Sequence, residues 1–182
     1  MKDILLLMAQ YNQTVNSRLY DLLSKSDQKL LIRKTGSYFN NIIGLLNHLL
    51  LTDLGWLSAY RDSNLNLPSL QSPLLEHQNP GWGKNLYHNL PDLKNHQENI
   101  DSLIVEFVSE TSIRLFLGDI EVTRHSGEVH SFPFGKLLMH LFNHQTHHRG
   151  AIAQILDENG LENDYSNLIG LLMKEAAADS ET

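Results

Sequence analysis

An all-α bundle of four long helices, with one short β-hairpin before the fourth and an extra C-terminal helix after it, is the fold class that the sequence predicts. Apolar side chains recur at the three-and-four spacing of a helix face in four long stretches, whereas a spacing of two appears in one short stretch alone. The length of 182 residues matches one compact domain, 1–182, because domains most often run to about 100 to 200 residues.

In the first stretch Ile4, Leu7, Met8, Tyr11, Val15, Leu19, Leu22 and Leu23 form one face, and Lys25, Ser26 and Asp27 end it. The second helix is expected over Tyr38 to Tyr60, started by Ser37 after Gly36, and so rich in Leu and Ile that two of its faces must be covered. It therefore belongs near the centre of the core. Arg61 to Gly83 carries Pro68, Pro73 and Pro80, with Pro91 just beyond, and reads as a long loop that either roofs a site or merely connects two helices. A third helix runs from Leu86 or Pro91 to Ser109, with Pro91 tolerated in its first turn and Leu93, Ile100, Leu103, Ile104 and Phe107 as its stripe.

Between Ile113 and Phe132 the period shifts towards two, around Ser126-Gly127, which predicts a small hairpin. The fourth helix follows from Pro133 or Phe134 to Glu158 with Gly160 as its stop, and a fifth from Glu162 to Ala178. Four or five helices with one hairpin make an up-and-down bundle.

Composition narrows the function classes. With 14 Lys+Arg against 21 Asp+Glu the formal charge is -7, so no basic surface is expected to neutralise phosphates, and nucleic acid is not an expected partner. No membrane partner is expected either. The apolar run Ile4 to Met8 is too short for a signal core, and Ile42 to Leu57 is broken by Asn47, His48, Thr52 and Asp53. A cytoplasmic location is the resulting expectation. Cysteine is absent, which excludes disulfides, thiolate nucleophiles and iron–sulfur ligation by this chain. The ten histidines are its main chemical resource.

Four of them fall within nine residues: His140, His144, His147 and His148. On a helical wheel with His144 at zero, Phe134, Leu137, Leu138, Leu141, Ile152, Ile155 and Leu156 centre at about +70°. His148, at about +40°, and His144 are then the inward pair, while His140 and His147, at about -40° and -60°, lie beside Lys136 and Asn143. An HxxxH pair places two imidazoles above one another, which suits two ligands of one metal ion. A catalytic site usually takes three protein ligands and keeps a position open, so a third is required. His48, the one histidine in the first 76 residues, sits among Leu45, Leu46, Leu49, Leu50 and Leu51 and is the candidate.

Three histidines suit zinc, nickel, iron or cobalt. The alternatives are a hydrogen-bonded core histidine at 48 and a solvated face at 140–148; their conjunction favours metal. The general-base glutamate of an HExxH motif is missing, since Gln145 follows His144. Among other polar residues, Asp53 is expected to face solvent rather than orient a ligand, Arg149 to tie two helices together, and Asn12 and Asn16 to hydrogen-bond across the bundle. Trp56, Tyr60 and Trp82 read as core or loop anchors.

Three segments resemble the DinB family of small metal-binding helical bundles. Tyr11-Asn12 through Asn16 is similar to the family's YNxWAN opening, His48 through Asp53 to Trp56 to its HxxxxDxxW stretch, and Asn143-His144 through His148-Arg149-Gly150 to its NHxxxHRGQ signature. Thr14 and Val15 stand where the family usually has Trp-Ala, and Ala151 where Gln commonly follows. The resemblance implies a four-helix up-down-down-up bundle, a homodimer, and a divalent metal held by His48, His144 and His148. Zinc or nickel come first, with iron, cobalt or manganese next.

It further implies a thiol-dependent S-transferase or a hydrolase, acting on a small-molecule electrophile with a low-molecular-weight thiol or water. Without cysteine, the nucleophile must come from such a thiol or from water. A non-catalytic metal-binding stress protein and a dimeric helical interaction module are the other classes expected.

Overall fold

A computed structural model describes residues 1–36, 38–63, 65–77, 80–81, 83–123, 127–164 and 168–173. Helix α1 spans Lys2–Ser24 and buries Leu5, Ala9, Val15, Leu19 and Leu23 along one face. A short helix that periodicity does not reveal, α2 at Gln28–Ile32, follows; at five residues it is shorter than two turns, and Asp27 caps it by accepting from the Lys29 N–H.

Helix α3, Ile42–Asp62, begins later than the expected Tyr38, and Ser37 lies outside the described residues. The cause is local. Asn40 adopts a left-handed φ of 65°, Asn41 caps the helix by accepting from the Gly44 N–H at 2.9 Å, and the Asn41 N–H closes a tight turn onto the Phe39 carbonyl at 2.8 Å. A Cβ at Gly44 would overlap that carbonyl, so glycine is what lets Phe39 approach the helix. By length and apolarity α3 could cross a membrane, but 61% of its most apolar window is buried in the protein, as in a core helix.

The 61–83 connection is not wholly irregular. Pro68–Gln71 and Pro73–Leu75 are 3-10 turns, and Leu65, Leu70 and Leu75 are buried, which pins the segment to the core. The residues just after it are held by Asn47, whose Oδ1 accepts from the Leu86 and Tyr87 N–H groups and whose Nδ2 donates to the Tyr87 carbonyl. Helix α4 covers Leu90–Glu110 with Asn89 as its cap and Pro91 in the first turn, as expected.

Residues 113–117 depart from the hairpin expected there. They form α5, Ile113–Leu117, because the Ser112 hydroxyl caps the Leu115 N–H and Phe116 turns into the core. The hairpin proper is β1, Asp119–Thr123, paired antiparallel with β2, Val129–Pro133, with Ile120 opposite Phe132 and Val122 opposite His130. Ile120 and Val122 point inward while their neighbours on β1 are exposed, the alternation that the period of two signalled.

Helix α6 spans Phe134–Asp157, and Gly160 follows it with φ 69°. The fifth helix, expected over 162–178, is helical at 169–173; residues 161–164 are irregular, and 165–167 and 174–182 lie outside the described residues.

Contacts between the long helices follow a consistent order. Along α1 and α4, Lys2 meets the Ser109 carbonyl, Gln13 meets Ser102, and Asp21 meets Lys94. Along α3 and α4, Asp53 meets Gln97 and Tyr60 stacks on Phe107. Along α3 and α6, His48 meets His144 and His148, Trp56 meets His140, and Tyr60 meets Phe134. The protein is mostly helical, with its apolar core between these four helices.

Candidate metal centre

His48 stands on the second turn of α3, and His144 and His148 lie one turn apart on α6. The three Nε2 atoms converge: His48 to His144 is 3.0 Å and His48 to His148 is 3.2 Å. Three nitrogens each about 2.0–2.1 Å from one tetrahedral ion would lie about 3.3 Å apart, so the spacing fits an ion better than a set of neutral imidazoles that would have to share N–H groups. All three offered ligand atoms lie within 4.8 Å of one another, and among the described residues no carboxylate or fourth imidazole joins them.

Electrostatics keep the rings in ligand form. Burial lowers His48 to about 4, with the His148 charge adding to the effect. His144 falls to about 3, again from burial first and then from the neighbouring imidazoles, and His148 is lowered for the same first reason. Neutral rings at neutral pH are what a divalent ion requires. All three are half-buried, so the seam between α3 and α6 remains open to solvent.

The two other clustered histidines do not converge. His140 and His147 are exposed; their rings lie 6.4 Å from that of His144 and 4.8 Å from that of His148. Phe39, which the sequence did not single out, lies flat on His48 at 4.0 Å and 18° and sets its edge against His148 at 5.5 Å. The turn that delivers it depends on Asn40, Asn41 and Gly44, a pattern visible in sequence only as an Asn-Asn pair ahead of an apolar run.

Behind the imidazoles lies a buried polar network. Asp53 does not face solvent as expected: it is fully buried, and its Oδ2 accepts from Gln97 Nε2 at 2.9 Å and Gln145 Nε2 at 2.6 Å. Asp101, equally enclosed, accepts from the amides of Asn16 and Gln97. Arg149 does tie helices together, donating from Nη1 to the Oδ1 atoms of Asn12 and Asn16, and the two asparagines do reach across the bundle. Burial raises Asp53 to about 6 and Asp101 to about 8; the nearby guanidinium and the amide donors oppose that rise.

Gln97, Asp101 and Gln145 were missed. For Gln145 a signal existed, since it falls at about +100° on the α6 wheel, inside the apolar arc, where a polar side chain must find partners.

The chain is similar to Protein DinB of Bacillus subtilis (strain 168), at 25% identity over 167 residues that cover 88% of each chain. A family model, that of the DinB family, matches residues 1–175, a span that includes all three converging histidines and the network behind them. By that match, the chain belongs to the DinB family.

Proposed function

We propose that the chain is a divalent-metal-binding enzyme of the thiol-dependent S-transferase or hydrolase type, with His48, His144 and His148 as its protein ligands and one coordination position open. The observation that carries this reading is the convergence of three neutral Nε2 atoms at 3.0 and 3.2 Å on a solvent-accessible seam. Zinc or nickel suits an all-imidazole donor set best. A divalent ion held there lowers the pKa of a bound water or thiol and so supplies a nucleophile at neutral pH.

The chain's own residues hold the rings and shape the approach. Phe39 fixes the plane of His48, and the absence of cysteine leaves the nucleophile to an added thiol or to water. An up-down-down-up order of α1, α3, α4 and α6 belongs to the same reading. It is supported by contacts that run in opposite directions along α1 and α4 and along α3 and α6, but in the same direction along α3 and α4.

The test is elemental analysis of untagged protein prepared without chelator, beside His48→Ala, His144→Ala, His148→Ala and His147→Ala. About one divalent ion per chain is expected in the parent and in His147→Ala, and loss from the other three. Equal retention by all four variants, or no ion even after adding zinc or nickel, overturns the proposal. Loaded protein is then assayed for thiol transfer and hydrolysis, and activity should fall on chelation and return with the ion.

A further inference from the structure

The geometry points to an aromatic subsite at Trp56 and His140, which receives a planar apolar group of the small electrophile while the reacting atom stands at the three histidines. This inference rests on the metal-centre reading above. His48, Thr52 and Trp56 form one stripe of α3 at i, i+4 and i+8, and His140, His144 and His148 form the matching stripe of α6. The stripes face each other in reverse order, because His48 meets His144 and His148 while Trp56 meets His140 at 5.7 Å and 75° between rings.

One end of this seam is closed. Phe39 covers His48 and abuts His148, so a ligand at the centre cannot extend that way. At the other end Trp56 is half-buried and His140 exposed, which leaves ring surface accessible. The indole is backed by the buried Tyr60, stacked at 5.9 Å and 29°, and so presents a fixed wall rather than a mobile side chain.

Eight residues of helix separate His48 from Trp56, about 12 Å, the reach of a small molecule with an apolar group on a short tether. Neither stripe carries an acidic side chain, a lysine or an arginine between the two ends, so a neutral aromatic or aliphatic group fits better than a charged one.

The test uses zinc-loaded full-length protein and two hydroxamates that share a metal-binding head, acetohydroxamate and phenylbutyrohydroxamate, titrated by calorimetry. The phenyl compound is expected to bind at least about tenfold more tightly to the parent, as aromatic contact with a fixed apolar wall implies. Trp56→Ala should bring the ratio near unity while leaving acetohydroxamate affinity within about twofold. His140→Ala, at an exposed position where substitutions usually change stability little, should lower the ratio by about threefold. A ratio near unity in the parent, or one unchanged in both variants, overturns the subsite. If protein shown to carry zinc binds neither compound, the open position fails and the subsite with it; if the protein carries no zinc, the centre itself fails.

Discussion

Replacing Arg149 with leucine should be among the most damaging single changes in this protein. Arg149 is 6% exposed, and its guanidinium donates to Asn12 and Asn16 of α1 from within a cluster that also holds Asp53 and Asp101. Leucine fills much of the volume but leaves two buried amide oxygens without a donor and the enclosed Asp53 carboxylate without its nearby cation. Removing one partner of a buried ion cluster costs about 3–5 kcal/mol, against a total stability of about 5–15 kcal/mol for a domain. With a urea slope of about 2 kcal/mol/M, the unfolding midpoint should fall by about 2 M. Arg149→Lys, which keeps the charge and loses the planar fork, should fall between parent and leucine variant. A midpoint within about 0.5 M of the parent in Arg149→Leu, at unchanged slope, would refute the claim that this cluster holds the bundle together.

Further outcomes follow from the same contacts. Gly44→Ala forces a Cβ against the Phe39 carbonyl, so despite alanine's better helix propensity it should destabilise the fold by about 1–3 kcal/mol and weaken zinc binding; equal or higher stability in urea would show that the turn gives way freely. Asn47→Ala leaves the Leu86 and Tyr87 amides without their acceptor, and their hydrogen exchange should quicken at least about tenfold, with no change as the contrary result. In chelated protein, Asp53 at about 6 and Asp101 at about 8 lie above the unfolded carboxyl value, so the folded chain holds extra protons and loses stability as pH rises from about 4 to about 8. The depressed His48 and His144 act oppositely below pH 6.5, so urea midpoints should decline between about pH 6.5 and 8, and Asp101→Asn should flatten that decline; a slope unaltered by the substitution would count against it.

The helices and the histidine cluster were legible in the sequence for different reasons. Long stripes such as that of α4 announce themselves because burial repeats over many turns, whereas α2 and α5 are each five residues long and set by a single capping side chain. The convergence of His48 with His144 and His148 was readable because imidazoles at apolar positions demand an explanation. Asp53 was misjudged for a related reason: one carboxylate on a helix gives no sign of the amides that meet it from two other helices. Gln97 and Gln145 lie 48 residues apart in sequence and both donate to its Oδ2, an encounter fixed by tertiary packing alone.

That encounter also bears on how the centre is kept in shape. Apolar packing is non-directional, so leucines at the α3–α6 interface set the distance between the helices more strictly than their rotation or register. A slide of one residue shifts a helix by about 1.5 Å and turns its side chains by about 100°, enough to separate imidazole nitrogens that need to sit near 3 Å apart. Hydrogen bonds are directional, and Gln145 and Arg149 project from α6 one residue after His144 and His148 respectively, toward Asp53 of α3 and Asn12 and Asn16 of α1. The histidine stripe and the anchoring stripe are thus offset by about 100° on one helix, so holding the second in register holds the first. The polar residues of the three motifs divide accordingly: His48, His144 and His148 face the open seam, while Asn12, Asn16, Asp53 and Arg149 face inward and fix where that seam meets.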